Sequence, residues 1–429
     1  MEYAPPGLNQ DEASSGYEAW AILHYGIDRN GDTLPVLLTS WGSGQNALYS
    51  YLAMPFIALF GLSVFSTRLP AAVIGSVSLI IAYLLGKRSK DDRFALLLML
   101  AFALNPWHLT ISRWALESNI LPFFILLAIY GAALWDDDNR KYAHILTAAA
   151  LGLSLYTYGT AFVWAPLFAI GIAVRKLIIA ERKSKTLIEI ATAFVVFSVI
   201  AFPIALCNLR NILGLPEMKL LWFTLPKLTE TRQAATMNFD VIGNAKRLIE
   251  ILWTQSDGLP WNSVPGFGLM FGKIGMAFVL LGIISTAVYR ERRAELPLIA
   301  LCAAIVTALF VDANINRVNV LLIPLVYFQA EGIIFLISRI KHSVFVLVPA
   351  LIICGTVFCV VYFTSYRESL RPYFESKDNM PYIYVLFEGK VPPSDFADSV
   401  EYLNPDGAFR WPGYFEWKTD SGKLKTYAQ

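Results

Sequence analysis

The sequence predicts an all-α polytopic membrane protein, a bundle of about ten transmembrane helices with outer loops and a small C-terminal α/β appendage. Of its 429 residues, 56% are hydrophobic and only 16% are charged, and the mean hydropathy is +0.51. This apolar surface exceeds what a soluble core can bury. Lysine and arginine number 35 and aspartate and glutamate 33, a balance that argues against a nucleic-acid partner.

Ten apolar segments are long enough to cross a hydrocarbon core of about 30 Å. They are 68–86, 94–109, 120–135, 142–156, 160–174, 187–206, 273–289, 296–311, 318–338 and 343–363. The fourth and fifth form one apolar stretch that is too long for a single span. We divide this stretch where Gly159 interrupts it.

Orientation follows from the basic residues of the short loops. One alternating set of loops holds sixteen Lys and Arg, whereas the opposite short loops hold only Arg113 and Arg317. The basic set is 87–93, 136–141, 175–185, 290–295 and 339–342. Since basic loops stay in the cytoplasm, the other loops are predicted to be extracytoplasmic.

This topology divides the chain into five parts. They are a first outer loop (1–67), transmembrane helices (68–206), a large outer loop (207–272), further transmembrane helices (273–363) and an outer C-terminal appendage (364–429). No signal peptide or helix precedes the first outer loop, so we expect a missing first helix, lost through a start-site error or a shortened chain. The alternative is spontaneous translocation of an acidic N-terminal segment.

Three segments outside the spans have recognisable patterns. Residues 46–63 are apolar, but a crossing here would invert every later loop, so an interfacial or re-entrant helix is predicted. Residues 239–253 show helical spacing of apolar side chains, which predicts an amphipathic helix on the membrane surface. In the tail, 382–387 resembles a strand, and a turn-rich aromatic stretch follows through 414–417.

Polar residues gather at three places on the predicted outer side, namely 9–12, 112–117 and 312–317. The spans themselves carry almost no ionisable residue at mid-depth, with Glu331 as the main exception. Ion-coupled transporters usually need such groups. The pattern therefore favours chemistry at the outer membrane surface.

These clusters contain the groups that transfer from a lipid-phosphate sugar requires. A sugar on a polyprenyl phosphate has a good leaving group, so one carboxylate to activate the acceptor and cations to hold the phosphate suffice. Asp11 is the predicted base, and Arg113 and Arg317 are the predicted phosphate ligands. Direct attack with one base predicts inversion at the anomeric carbon.

Structural alternatives exist for each of these residues. Asp11 and Glu12 could cap the helix predicted to follow them. Arg113 could pair with Glu117, and Arg317 could pair with Asp312.

The sequence gives little support for a metal. His24 and His108 lie on the outer side, but no two histidines are spaced as a metal pair. We expect no required metal or other cofactor, although a divalent cation could assist. Asparagines such as Asn314, Asn316 and Asn319 are more often helix caps and loop hydrogen-bonders than ligands.

Four stretches together resemble the C-type (GT-C) membrane glycosyltransferases, specifically glycosyltransferase family 39 and the protein mannosyltransferase-like group. They are PGLNQDEASSGYEAW, RLPAAVIG, NPWHLTISRWALESNILPF and NRVNVLLIPL, in the family's order within 5–330. The resemblance implies a GT-C bundle, a polyprenyl- or dolichyl-phosphate sugar donor and an extracytoplasmic active site in the cell (plasma) membrane.

The resemblance also implies roles for individual residues. Asp11 matches the catalytic aspartate of the first loop, Glu12 its acidic neighbour and Glu117 the second acidic position, while Arg113 and Arg317 match arginines near the donor phosphate. One departure is that the family's lysine-bearing Pro-Pro-Leu segment is replaced by 40–46, which has no lysine.

Further candidate contacts to donor or acceptor are His108, Gln45, Asn316 and Tyr158.

The resulting hypothesis is a hexosyltransferase that moves a mannose-type or similar sugar to a protein, lipid or cell-wall acceptor, with roles in protein glycosylation or the cell envelope. A transporter or lipid-linked sugar flippase is the competing class, and the scarcity of mid-membrane charge weighs against it. A third hypothesis is a catalytically inactive relative.

Overall fold

The computed structural model describes residues 1–40, 43–137, 140–228, 230–289, 294–378, 380–402, 414–419 and 422–427. The helices are α1 (Gln10–Tyr25), α2 (Leu48–Phe60), α3 (Val64–Ser89), α4 (Asp92–Leu104), α5 (Pro106–Ile111), α6 (Leu121–Trp135), α7 (Ala143–Ser154), α8 (Ala161–Ile179), α9 (Lys183–Ile212), α10 (Arg232–Thr236), α11 (Val241–Thr254), α12 (Gly272–Tyr289), α13 (Glu295–Leu309), α14 (Leu322–Arg339), α15 (Val344–Val361), α16 (Arg367–Phe374), α17 (Pro381–Gly389) and α18 (Pro393–Ser399). The strands are β1 (Leu37–Ser40), β2 (Ser43–Asn46), β3 (Met218–Leu220), β4 (Phe223–Leu225), β5 (Val400–Tyr402), β6 (Tyr414–Thr419) and β7 (Gly422–Tyr427).

Helices occupy every one of the ten predicted spans. Within the described residues, seven helical stretches are long and apolar enough to cross a membrane. They are Val64–Ser89, Glu117–Trp135, Ala161–Ile179, Lys183–Ile212, Gly272–Tyr289, Asn319–Arg339 and Val344–Phe374. The predicted span 94–109 is interrupted at Pro106, where the Asn105 side chain accepts from the backbone N–H of His108 and starts α5. The predicted all-α polytopic architecture is confirmed.

The strands form three small antiparallel sheets. β1 pairs with β2 as a hairpin, β3 pairs with β4, and β5, β6 and β7 form a three-stranded sheet in that order. The first hairpin follows α1 directly and packs beside it, so it helps to hold the N-terminal loop in place.

The basic loops assigned to one side of the membrane do lie at one end of the bundle. Lys90, after α3, forms an ion pair of 2.7 Å with Glu331 of α14. Arg175 of α8 pairs with Asp136 at 2.8 Å and with Glu295 at 2.7 Å. The contacts of Arg175 link three of the five basic loops, and Lys90 ties a fourth to α14, which leads into the fifth. This arrangement agrees with the alternating charge pattern.

Glycines allow α12 and α14 to cross in direct backbone contact. A Cβ atom at Gly282 would overlap the carbonyl oxygen of Phe328, and one at Gly332 would overlap the carbonyl oxygen of Phe278. Small residues are used in this way where membrane helices pack closely.

We expect Gly282→Leu to destabilise the protein by about 1–3 kcal/mol, because α12 and α14 must separate to admit the side chain. Thermal unfolding of the purified protein in detergent measures the effect. Ala287→Leu is the matched control, since Ala287 is an exposed residue of the same helix. Equal melting temperatures for the two variants would contradict the close crossing.

The predicted strand at 382–387 is wrong, because this segment belongs to α17. Pro381 occupies the first turn of the helix, where it needs no backbone donor. The apolar side chains Ile383 and Phe387, spaced by four, share a helical face and pack in a buried cluster with Tyr17 of α1. The Tyr17 hydroxyl also donates to the Val391 carbonyl at 2.6 Å.

Both predicted non-spanning helices are present. The interfacial candidate at 46–63 is the 13-residue α2, and the amphipathic candidate at 239–253 is α11. On α11, Leu248 and Ile251 are buried while Ile242 and Ile249 are exposed. An exposed apolar row of this kind suits contact with the membrane surface.

Candidate functional site

The three outer polar clusters meet at one cavity of about 340 Å³. Six chain segments supply its walls, from the start of α1 to α17. The lining residues are Asn9, Gln10, Asp11, Trp114, Leu116, Trp261, Asn316, Pro372, Tyr373, Phe374, Ser376 and Tyr384. Of the predicted site residues, Asp11 and Asn316 line this cavity.

Asp11 is held in the first turn of α1 by a capping box. The Asn9 side chain accepts from the Glu12 backbone N–H at 3.0 Å, and the Glu12 carboxylate accepts from the Asn9 backbone N–H at 3.3 Å. The helix therefore begins one residue before Asp11. A carboxylate in this turn is also favoured by the positive end of the helix dipole.

Glu12 lies behind the cavity in a buried ion pair with Arg68. The Glu12 carboxylate accepts from Arg68 Nη2 at 2.6 Å and Nε at 2.7 Å, and both side chains are fully buried. It also accepts from the backbone N–H of Ala115 at 3.0 Å, while Arg68 donates to the Pro5 and Gly7 carbonyls. The pair thus connects the N-terminal loop, α3 and the 112–117 loop. Glu12 therefore caps α1, as the structural alternative proposed, and it also joins these three segments.

The two predicted phosphate-binding arginines make protein contacts beside the cavity. Arg113 donates from Nε to the Ala4 carbonyl at 2.8 Å, and its guanidinium lies 4.8 Å from the centre of the Phe363 ring. Burial lowers the pKa of Arg113. Arg317 pairs with Asp312 at 2.8 Å, as the structural alternative anticipates, and the Asp312 carboxylate is 70% exposed. Their sequence neighbours Trp114 and Asn316 line the cavity, so both arginines belong to its surroundings.

Glu117 and Gln45 are tied to the first hairpin. The Glu117 carboxylate accepts from the backbone N–H of Asn46. The Gln45 side-chain oxygen accepts from the hydroxyls of Ser14 at 3.2 Å and Ser40 at 3.0 Å. Both side chains are buried; Gln45 holds the hairpin against α1, and Glu117 ties the hairpin to the 112–117 segment.

His108 and Tyr158 are buried in the helical bundle. The His108 ring packs edge-on against Phe102 at 5.5 Å, and Tyr158 belongs to the main apolar core. Neither residue is among those that line the Asp11 cavity.

Aromatic residues that the sequence did not single out form much of the cavity wall. Trp261 and Tyr373 pack together with ring centres 5.0 Å apart, and Tyr384 faces the same space. Burial raises the pKa of Tyr384, and the negative charges of Asp11 and Glu12 raise it further. These rings come from the loop after α11, from α16 and from α17, so no local pattern marks them as a group.

A second buried ion pair, also missed from the sequence, lies between α1 and the first hairpin. Arg29 pairs with Glu18 at 3.2 Å and donates to the hydroxyls of Ser14 at 2.9 Å and Ser40 at 2.6 Å. Burial raises the pKa of Glu18, an effect that the charge of Arg29 opposes. This network makes the hairpin and α1 one unit.

Metal-binding groups are scarce. Within the residues that the structure describes, no group of three His, Cys, Asp or Glu side chains is placed to hold a metal ion. Asp11 is the one acidic side chain among the described residues that line the cavity. The role of a divalent cation stays a prediction.

A family model described as dolichyl-phosphate-mannose-protein mannosyltransferase matches residues 25–217. This region is less than half of the chain, and it includes Arg113 and Glu117 but not Asp11. No curated protein matches the chain.

Solved structures of similar architecture match a larger part of this chain than the family model does. ArnT from Cupriavidus metallidurans bound to undecaprenyl phosphate has a TM-score of 0.54 at 15% identity, over 92% of this chain and 73% of ArnT. The same enzyme in the apo state has a TM-score of 0.51 at 17% identity, over 78% of this chain and 57% of that protein. The Archaeoglobus fulgidus oligosaccharyltransferase tethered to an acceptor peptide has a TM-score of 0.51 at 13% identity, over 94% of this chain and 56% of the enzyme.

At sequence identities of 13–17%, these matches show that the chain shares the fold of the two enzymes and nothing more specific. The chain spans a little over half of the length of two of these structures and nearly three quarters of the third. The predicted architecture is confirmed, and the match over residues 25–217 agrees with the resemblance to the protein mannosyltransferase-like group.

Proposed function

We propose that this chain, which has the fold of the C-type membrane glycosyltransferases, transfers a sugar from a polyprenyl-phosphate carrier to an acceptor. The observation that carries the proposal is the position of Asp11 on a cavity where the three outer polar clusters converge. The description of the matching family model names dolichyl-phosphate-mannose as the donor, and the ArnT crystal structure contains bound undecaprenyl phosphate. Both support a lipid-phosphate donor, with a mannose-type hexose as the first candidate sugar.

Asp11 is the proposed general base. Its carboxylate accepts the proton of the acceptor's nucleophilic group as that group attacks the anomeric carbon. The bond from this carbon to the phosphate oxygen breaks in the same step, and the carrier leaves with both electrons as the free lipid phosphate. A single displacement inverts the anomeric centre. The leaving group needs no protonation by a second acid.

Arg113 and Arg317 are the proposed stabilisers of the leaving phosphate. Each adjoins a residue that lines the cavity, namely Trp114 and Asn316, so the phosphate would sit at the rim while the sugar points inward. Guanidinium groups form charge-assisted bonds with phosphate oxygens. The phosphate would compete with Asp312 for Arg317, which costs little because the Asp312 carboxylate is exposed.

Glu12 and Glu117 are proposed to position the base and not to react. Glu12 binds Arg68 and the Ala115 amide, and Glu117 binds the Asn46 amide. Each thereby fixes a segment of the cavity's surroundings. Gln45 acts in the same way, and Asn316 is the proposed direct contact to the substrate.

The acceptor and the location are also proposals. The oligosaccharyltransferase structure carries an acceptor peptide, which makes a peptide the first acceptor to test, with lipid and cell-wall acceptors next. The short loops on the predicted outer side hold only Arg113 and Arg317, and this scarcity of basic residues favours an extracytoplasmic site in the plasma membrane.

The test is transfer of labelled sugar in proteoliposomes that contain the purified protein. Undecaprenyl- and dolichyl-phosphate mannose and glucose are the donors, and peptide and lipid extracts are the acceptors. We expect label in an acceptor and release of the lipid phosphate, both lost in Asp11→Asn. Passage of the sugar lipid across the bilayer without transfer would overturn the proposal in favour of a flippase.

We expect Arg317→Ala to raise the KM for the donor about tenfold with little change in the melting temperature, because an exposed ion pair contributes about 0–1 kcal/mol to folding. Asp312→Asn is the matched control, since it breaks the same pair but keeps the guanidinium. We expect donor KM in this control to stay the same or fall. An unchanged KM in Arg317→Ala would remove Arg317 from the phosphate site.

A further inference from the structure

A second cavity on the predicted outer side, larger than the one that Asp11 lines, lies where the loop after α11 meets the first turn of α12. Its volume is about 600 Å³, and all of its described lining residues fall within 253–273. We propose that this cavity binds the phosphate of an anionic phospholipid from the surrounding membrane. The site takes no part in the proposed transfer, so the inference goes beyond that function and does not depend on it.

The charge of this cavity is the first observation. Lys273 is the one charged side chain among the described residues that line it. Its ammonium lies 4.3 Å from the centre of the Trp253 ring, and Lys273 forms no ion pair within the described part of the chain. Lys273 also stands in the first turn of α12, where backbone N–H groups lack acceptors within the helix and the helix dipole is positive. A lysine at such a helix start attracts a phosphate.

The acidic residues closest in sequence have partners of their own. The Asp257 carboxylate is buried, and it accepts from the Asn262 side chain at 2.8 Å and from the Ile315 amide at 2.9 Å. Glu250 of α11 pairs with Arg247 at 2.8 Å. The lysine is therefore the charge that a ligand in this cavity meets.

A buried hydroxyl without a partner is the second observation. Ser263 is only 8% exposed and lines the same cavity. Its side chain makes no hydrogen bond to any residue that the structure describes. Buried polar groups are normally paired. A hydroxyl can donate to a phosphate oxygen, so the anion that Lys273 attracts would also complete the bonding of Ser263.

The surroundings of the cavity indicate that the phosphate belongs to a lipid. Directly after Lys273, Ile274 and Gly275 line an apolar groove between α12, α14 and α15. Ile274 is 73% exposed, and α12 is one of the helices long and apolar enough to cross a membrane. Trp253, beside the lysine, is 65% exposed at the end of the amphipathic helix α11, and tryptophan is typical of the membrane interface. A phospholipid would place its phosphate at Lys273 and part of an acyl chain in the apolar groove.

The test locates the bound lipid by photolabelling. The full chain is placed in phosphatidylcholine nanodiscs with a trace of phosphatidylglycerol or phosphatidylcholine that carries a diazirine on one acyl chain, and labelled peptides are identified by mass spectrometry. The proposal predicts label in 271–278 of α12 and 347–354 of α15, which line the apolar groove. We expect phosphatidylglycerol to label them about fivefold more than phosphatidylcholine, because one lysine near an anionic head group contributes about this factor. The exposed segment 194–202 of α9 is the internal control, where we expect equal labelling by the two lipids.

Variants of the two polar residues test their roles. Lys273 is exposed, so Lys273→Gln should keep the melting temperature but reduce the preference for phosphatidylglycerol to the level of the control segment. Lys273→Arg keeps the charge and should keep the preference. Lys246→Gln is the matched control, since Lys246 is an exposed lysine of α11 that is not among the described lining residues. We expect Ser263→Ala to reduce labelling by phosphatidylglycerol about threefold, the effect of one lost hydrogen bond.

Equal labelling of the apolar groove by the two lipids, or a preference that survives Lys273→Gln, would overturn the proposed site. Competition identifies the source of the phosphate, because excess unlabelled phosphatidylglycerol should abolish the preference and millimolar inorganic phosphate should not. If inorganic phosphate abolished it, the cavity would be a site for a soluble anion and the lipid assignment would be wrong. Far stronger competition by undecaprenyl phosphate would instead assign the cavity to the sugar carrier. No donor or acceptor is present, so these results do not depend on sugar transfer.

Discussion

Replacement of Glu12 by Ala is expected to lower the free energy of unfolding by about 3–5 kcal/mol, because it leaves the Arg68 guanidinium buried without its counter-charge. The loss also removes the acceptor for the Ala115 amide and the reciprocal bond of the capping box. The N-terminal loop, α3 and the 112–117 loop would therefore lose their shared connection. Thermal unfolding of the detergent-purified protein provides the measurement.

Glu250→Ala is the matched control for this change. Glu250 pairs with Arg247 on the exposed surface of α11, where an ion pair contributes about 0–1 kcal/mol. A double variant, Glu12→Leu with Arg68→Met, removes both buried charges and should recover part of the lost stability. If Glu12→Ala were as harmless as Glu250→Ala, the buried pair would not be the connection that we describe.

The sequence predicted the bundle because its signals are local and strong. Each span is a continuous apolar run, and the alternation of basic loops fixes which helix ends lie together, as the Lys90–Glu331 pair illustrates. The error at 382–387 has the opposite origin. An isolated short apolar run fits either a strand or a helix, and contact with α1 decides in favour of α17.

The candidate site was predictable only in part. Asp11 and Asn316 stand in polar clusters at the outer ends of apolar helices, so their convergence followed from topology. Arg68 also carried a signal, a charge at the outer start of an apolar span, but its partner Glu12 is 56 residues away. Trp261 and Tyr384 carry no comparable signal, because only tertiary packing brings the loop after α11 and the C-terminal segment to α1.

Asp11→Asn is expected to reduce kcat for transfer by about 10²–10⁴-fold, the usual contribution of a positioned general base. The amide keeps the size of the side chain and its place in the first turn of α1, so the melting temperature should change little. KM for the donor should stay within about threefold, because the lost group acts on the acceptor's proton in the transition state. Initial rates at saturating donor and acceptor separate the two effects.

The matched control for the base is Asp240→Asn. Asp240 caps α11 and lies on the same predicted side of the membrane, and Asn caps a helix about as well as Asp. Full activity in this control with loss of activity in Asp11→Asn would tie the effect to the cavity and not to helix capping.

Asp11→Glu adds a further distinction, since it keeps the carboxylate but moves it by one methylene. A partial rate in Asp11→Glu would indicate a base whose position matters. Wild-type kcat in Asp11→Asn would instead assign proton removal to another group or to solvent.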